Sequence, residues 1–163
     1  MPFDRIHSLV GICLLLLLVS DRGYSQENSG MVVAARGDVS VISNGKSRPL
    51  RQGDFVAEND QIVAAERSFT MIQLFDGSKV SLRPESALLI EQFQFSVGNE
   101  DSAILALLNG GLRLVPGAIA AGNPNNFRIR TPGSLMAVEG KESSISLCGE
   151  AICEKQGLIE ITK

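Results

Sequence analysis

Residues Phe69 to Ser86, FTMIQLFDGSKVSLRPES, contain two alternating apolar runs that meet at Asp76-Gly77 and stop at Pro84. Alternation is the period of a half-buried strand, and Asp-Gly between two such runs is a hairpin signal. The register follows from where the apolar side chains must go. A two-residue Asp76-Gly77 turn would set Val80 against Gln73 and Leu82 against Met71. A three-residue loop of Phe75, Asp76 and Gly77, with Gly77 left-handed, pairs Ile72 with Val80 and Thr70 with Leu82 instead. Only the second register gathers Ile72, Leu74, Val80 and Leu82 on one face, leaving Gln73, Lys79, Ser81 and Arg83 for solvent. A slip of one residue would reverse the faces, so the three-residue loop is the expected turn. Pro84 cannot donate to a ladder and ends the strand or confines it to an edge.

The flanks repeat this grammar. Val32 to Ala35 and Val39 to Ile42 read as strands, the second closed by Asn44-Gly45; Gly53-Asp54 and Asn59-Asp60 mark turns around Phe55-Val56, and Ile62 to Ala64 leads on. Leu88 to Phe95 alternates. The run Ala103 to Leu108 fits a buried strand or a short helix, and Asn109-Gly110-Gly111 before Leu112 to Val115 favours a second hairpin. Pro116 to Asn126, PGAIAAGNPNN, has no useful period and reads as a surface loop. Strands are expected again at Phe127 to Thr131, Leu135 to Val138, Ser143 to Cys148 and Ile152 to Ile161. The fold class is all-β, a two-layer β-sandwich or a short β-solenoid of stacked hairpins.

Leu9 to Val19 form an apolar run behind Arg5 and ahead of the small residues Gly23 and Ser25, the pattern of a secretory signal peptide. The run is shorter than the roughly 20 residues of a spanning helix. Cleavage is expected after Ser25, giving a signal peptide at 1–25, an N-terminal lead and first strand at 26–38, and a β domain at 39–163. Cys13 is not a lipoprotein cysteine, because the apolar run continues past it.

The chain has 15 basic and 18 acidic residues, and cleavage leaves the balance unchanged because Asp4, Arg5, Asp21 and Arg22 cancel. With no basic stripe, neither nucleic acid nor an anionic membrane surface is an expected partner. The single histidine, His7, lies in the leader, and there is no tryptophan. The mature chain therefore lacks Ser-His-Asp and Cys-His catalysis and His-ligated metal sites. It also has no Walker loop and no Gly-x-Ser-x-Gly elbow. The expectation is a protein that is not an enzyme, with no catalytic residue, cofactor or metal.

Cys148 and Cys153 remain, in a chain expected to mature in an oxidising compartment. If Gly149 to Ile152 form the hairpin loop, the cysteines are direct cross-strand neighbours within bonding range. A tighter Gly149-Glu150 turn would pair Leu147 with Ile152 and leave the cysteines diagonal and too far apart. The disulfide is the expected state. Asn99, Glu100 and Asp101 read as a solvated turn without the ligand spacing of a calcium loop, and Glu139, Glu142, Glu150 and Glu154 as exposed alternate positions. Arg128 and Arg130 share a strand face, and with Arg113 on another strand they form a candidate partner-binding patch or simply the solvated face of a sheet.

Several of these elements, taken in order, resemble the FecR-like periplasmic domain family. They are Gly53-Asp54, the strand Phe69 to Phe75, Asp76-Gly77-Ser78, Leu82-Arg83-Pro84-Glu85-Ser86, Gly111 to Val115, Thr131-Pro132 and Val138-Glu139-Gly140. The resemblance spans Val39 to Cys148 and implies a periplasmic all-β domain. In regulatory members of that family the domain contacts the signalling domain of an outer-membrane receptor and passes the signal to a cytoplasmic sigma-factor regulator. This sequence departs from that plan twice. Only Met1 to Ser8 precede the apolar run, which implies no cytoplasmic anti-sigma segment, and the usual Val-Arg-Gly-Thr-Glu reads Val138-Glu139-Gly140-Lys141-Glu142. The expectation is a freestanding, exported, non-enzymatic periplasmic binding or scaffold module that engages another envelope protein, through a strand edge or the Pro116 to Asn126 loop. The alternatives are a component of transmembrane sigma-factor signalling and a cell-wall glycan binder.

Overall fold

The alternating apolar runs close into two stacked sheets. The computed structural model describes residues 27–96 and 101–161; the expected signal peptide, with His7 and Cys13, and Asn99 and Glu100 of the acidic turn lie outside them. The strands are β1 (Asn28–Arg36), β2 (Val39–Ser43), β3 (Lys46–Pro49), β4 (Phe55–Ala57), β5 (Gln61–Ala64), β6 (Phe69–Leu74), β7 (Lys79–Leu82) and β8 (Ser86–Gln94). They continue as β9 (Ser102–Asn109), β10 (Gly111–Val115), β11 (Phe127–Arg130), β12 (Leu135–Val138), β13 (Ser143–Cys148), β14 (Ala151–Gln156) and β15 (Leu158–Glu160). Among the described residues a seven-stranded sheet has the order β14-β13-β10-β7-β6-β1-β4 and an eight-stranded sheet the order β15-β12-β11-β9-β8-β5-β2-β3.

Both orders run from early strands at one end to late strands at the other. The chain passes back and forth between the sheets as it advances, so the layers are those of a sandwich and the growth is that of a solenoid. Ile72, Leu74, Val80, Leu82, Leu112, Leu114 and Ile145 from one sheet share a single core with Val41, Ile62, Leu88, Ile90, Leu105, Leu107, Phe127 and Ile129 from the other. Burial of this alternate set is the main stabilising term.

The central hairpin has the expected register, with Thr70 opposite Leu82 and Ile72 opposite Val80. Its three-residue loop closes with Gly77 N–H donating to Leu74 O at 3.0 Å and Gly77 at φ 87°. Asn44 and Gly45, both at positive φ, turn β2 into β3.

Three expectations are corrected. β9 and β10 are not a hairpin, because β9 pairs with β8 and β11 in the eight-stranded sheet while β10 pairs with β7 and β13 in the other. The chain changes sheet at Gly110, where φ is 75° and a Cβ would lie 2.3 Å from Ser86 Oγ, so only glycine passes. Pro116 to Asn126 is not an open loop. It holds a one-turn helix, α1 (Ala118–Gly122), and a 3-10 turn at Pro124–Asn126, with Ile119 buried in the core. Finally, the run Ile152 to Ile161 breaks at Gly157, where the chain leaves the seven-stranded sheet for β15 in the eight-stranded one.

Candidate interaction surface

The family-like motif residues hold turns and one crossing between the sheets. Asp76 is buried, and its carboxylate accepts from Ser78 N at 2.9 Å, Ser78 Oγ at 2.8 Å and Ile119 N at 3.4 Å. Ser78 Oγ in turn accepts from Gly117 N at 2.8 Å, and Ala118 N donates to Asp76 O at 2.8 Å. The central turn thus binds the start of α1, explaining why a one-turn helix with no side-chain cap persists there. Gly117 has no alternative, since a Cβ would lie 2.3 Å from Asp76 O and 2.4 Å from Ser78 N.

The other motif positions are also structural. Pro84 follows β7 and ends it, and Ser86 Oγ donates to Gly111 O at 3.0 Å and accepts from Gly111 N at 2.9 Å. Gly53 N donates to Val32 O, and Asp54 accepts from Arg51 N at 2.9 Å and Arg48 Nη1 at 3.3 Å. Thr131 and Ser134 bond each other across the Pro132-Gly133 turn, and Gly140 takes φ 84° in the connection after β12.

Cys148 and Cys153 form a disulfide with Cα atoms 5.7 Å apart. The register is the one expected to forbid it, with Leu147 opposite Ile152 and Cys148 opposite Ala151. A bulge resolves the contradiction. Beyond it Ser146 faces Glu154, so Cys153 is the extra residue, swung toward Cys148 instead of lying diagonal to it.

The three arginines are not brought together. Arg113 is on β10 of the seven-stranded sheet, where Glu142 grips it through two contacts of 2.7 Å; that hydrogen bond, and then the charge, raise its pKa further above the ordinary value. Arg128 and Arg130 are on β11 of the other sheet. Arg130 Nε meets Glu91 at 2.7 Å, and Arg128 Nε donates to Asn125 O at 2.9 Å.

What the sequence reading missed is aromatic. Phe75, first residue of the central loop, is 51 % exposed and Phe55 on β4 is 49 % exposed, with ring centroids 6.4 Å apart. Met31, opposite Phe55 on β1, completes an exposed apolar patch, and Phe75 N donates to Ser29 O at 3.0 Å, holding the loop against β1. The signal was present in the sequence, since a phenylalanine in a turn otherwise made of polar residues has no core to enter. β4 is a sheet edge, but Arg48 Nη2 reaches its Phe55 carbonyl at 3.4 Å and hinders addition of another strand there. The side chains therefore offer more than the edge does. Exposed aromatic and methionine side chains are enriched at protein interfaces.

Among the described residues no group of three or more His, Cys, Asp or Glu is placed to hold a metal, and no helix is long and apolar enough to cross a membrane. A family model described as FecR protein matches residues 60–152, more than half of the chain. The match takes in the motif positions from Phe69 to Gly140 and leaves Gly53-Asp54 and Cys153 outside. No curated protein and no solved structure matches.

Proposed function

Since the chain belongs to the FecR protein family, we propose that it is an exported, non-enzymatic binding module of the periplasm that engages another envelope protein. The observation that carries this reading is the solvent-facing Phe55 and Phe75 pair beside Met31. Asp76, Gly77 and Ser78 are occupied in holding the turn that presents Phe75, so in this reading they support the site from behind. Export rests on the Leu9 to Val19 run and its small-residue boundary, and the disulfide suits an oxidising compartment. Binding energy at such a surface concentrates in a few desolvated aromatic side chains.

Site-specific photo-crosslinking in intact cells tests this. A photoreactive residue at position 55 or 75 is expected to capture one envelope protein, while the same group at Ser144, on the polar part of that sheet, captures none. Equal capture at all three positions, or none at any, would contradict the proposal. Fractionation in the same cells is expected to find a shortened chain in the periplasm.

A further inference from the structure

The outer face of the eight-stranded sheet differs from an ordinary solvated face. Strand alternation directs Val41, Ile62, Ile90, Leu105 and Ile129 into the core, and their neighbours therefore point outward. Those neighbours include Ile42, Val63, Leu89, Ile104, Leu108 and Leu135, none of which packs into the core cluster. In the cross-strand register Arg130 is followed by Ala106, Leu89, Gln61 and Ile42, an outward row with one charge at its end, one amide, and a buried alanine beside the charge. The outward positions of β5, β8, β9, β11 and β12 hold no lysine, and their charged residues are Arg128, Arg130 and Glu91. Leu108 is exposed and the other apolar side chains named are half-buried, so the face keeps an apolar patch of the kind that marks an interaction site.

We infer that this face is where a second copy of the chain docks, sheet against sheet about a two-fold axis. Two properties select a copy of the chain over other occupants. Arg130 and Glu91 sit side by side at 2.7 Å near the middle of the face. A two-fold axis passing near Ala106 lays each Arg130 over the partner's Glu91, so both signs are met by the same residues reversed. Size is the second. The six strands from β12 to β2, about 4.8 Å apart and about five residues long at ~3.3 Å each, give a flat area on the order of 500 Å². That is of the same order as the roughly 800 Å² each partner gives to a standard interface. Two twisted sheets packed in this way repeat the layer contact already inside the molecule. The aromatic patch lies on the other sheet and stays free.

Light scattering coupled to size exclusion on the exported chain, across about 1 to 100 µM, is expected to show twice the chain mass, falling to one at the dilute end if Kd lies in the micromolar range. Leu89→Glu with Ile104→Glu is expected to give a single-chain mass, and Ser144→Glu on the opposite sheet to leave the dimer intact. Because the double variant can also fail to fold, charge reversal provides a second arm. Arg130→Glu or Glu91→Arg alone is expected to weaken the dimer about tenfold, and the two together to restore it to within about threefold. A single-chain mass for the unchanged protein at every concentration overturns the inference. So does a dimer that survives Leu89→Glu with Ile104→Glu, or one indifferent to the charge swaps. Failure here leaves the crosslinking at positions 55 and 75 untouched, so the two readings fall separately.

Discussion

Two hairpin turns of this protein are held in opposite ways. The central turn at Phe75 to Gly77 is fixed without a covalent bond, by a buried carboxylate that satisfies its own loop and the incoming helix at once. The terminal turn between β13 and β14 lies at a sheet edge, exposed on both strands near its tip, and is closed by Cys148–Cys153. The difference follows from burial. Where the surroundings exclude water, charge-assisted hydrogen bonds are strong enough to define a loop. At an edge, water competes for every such bond, and a covalent link remains effective.

The comparison predicts a ranking. Asp76→Ala strips the acceptor from Ser78 N, Ser78 Oγ and Ile119 N inside the protein, and a loss of about 3 kcal/mol is expected in urea unfolding. A loss below about 1 kcal/mol would mean that the central turn is held by something else. Gly117→Ala tests the same contact from the helix side. Its methyl group has to displace backbone, and a cost of about 2 to 3 kcal/mol is expected from thermal unfolding. Replacing Cys148 and Cys153 with serine opens a loop with a sequence separation of 5. It is expected to cost no more than about 2 kcal/mol. Hydrogen exchange is expected to place that loss in β14 and leave β6 and β7 protected. Equal exchange in both regions would erase the distinction between the turns. Phe55→Ser with Phe75→Ser ranks last for stability, at about 1 kcal/mol below the parent, because half of each ring is already in water and neither enters the core.

How far the sequence was legible follows from how local each feature is. The Ile72–Val80 register and the Asn44-Gly45 turn depend on neighbours a few residues away, and both could be read directly. Membership of a sheet depends on distant partners. β9 and β10 alternate in the same way whether they pair with each other or part at Gly110, so a crossover looked like a hairpin. The helix Ala118–Gly122 was invisible for a related reason, since the groups that meet its first N–H groups come from Asp76, far back in the chain. The cysteine bond was expected through the wrong loop, because a bulge leaves no apolar pattern to recognise. Arg113 and Arg128 looked like neighbours because alternation records which way a side chain points within its strand and is silent on which sheet holds it. Phe55 and Phe75 do not announce a site in the sequence because they are 20 residues apart, and only the pairing of β1 with both β4 and β6 brings them together.

The proposed division of labour gives the family motif the scaffold and the exposed phenylalanines the binding. It is tested most directly by measuring urea unfolding and capture of the crosslinked envelope protein on the same Phe55→Ser, Phe75→Ser variant, with a photoreactive group at Met31. An unfolding free energy lowered by no more than about 1 kcal/mol and capture reduced to background are expected. Undiminished capture, or stability and capture lost together, would contradict it.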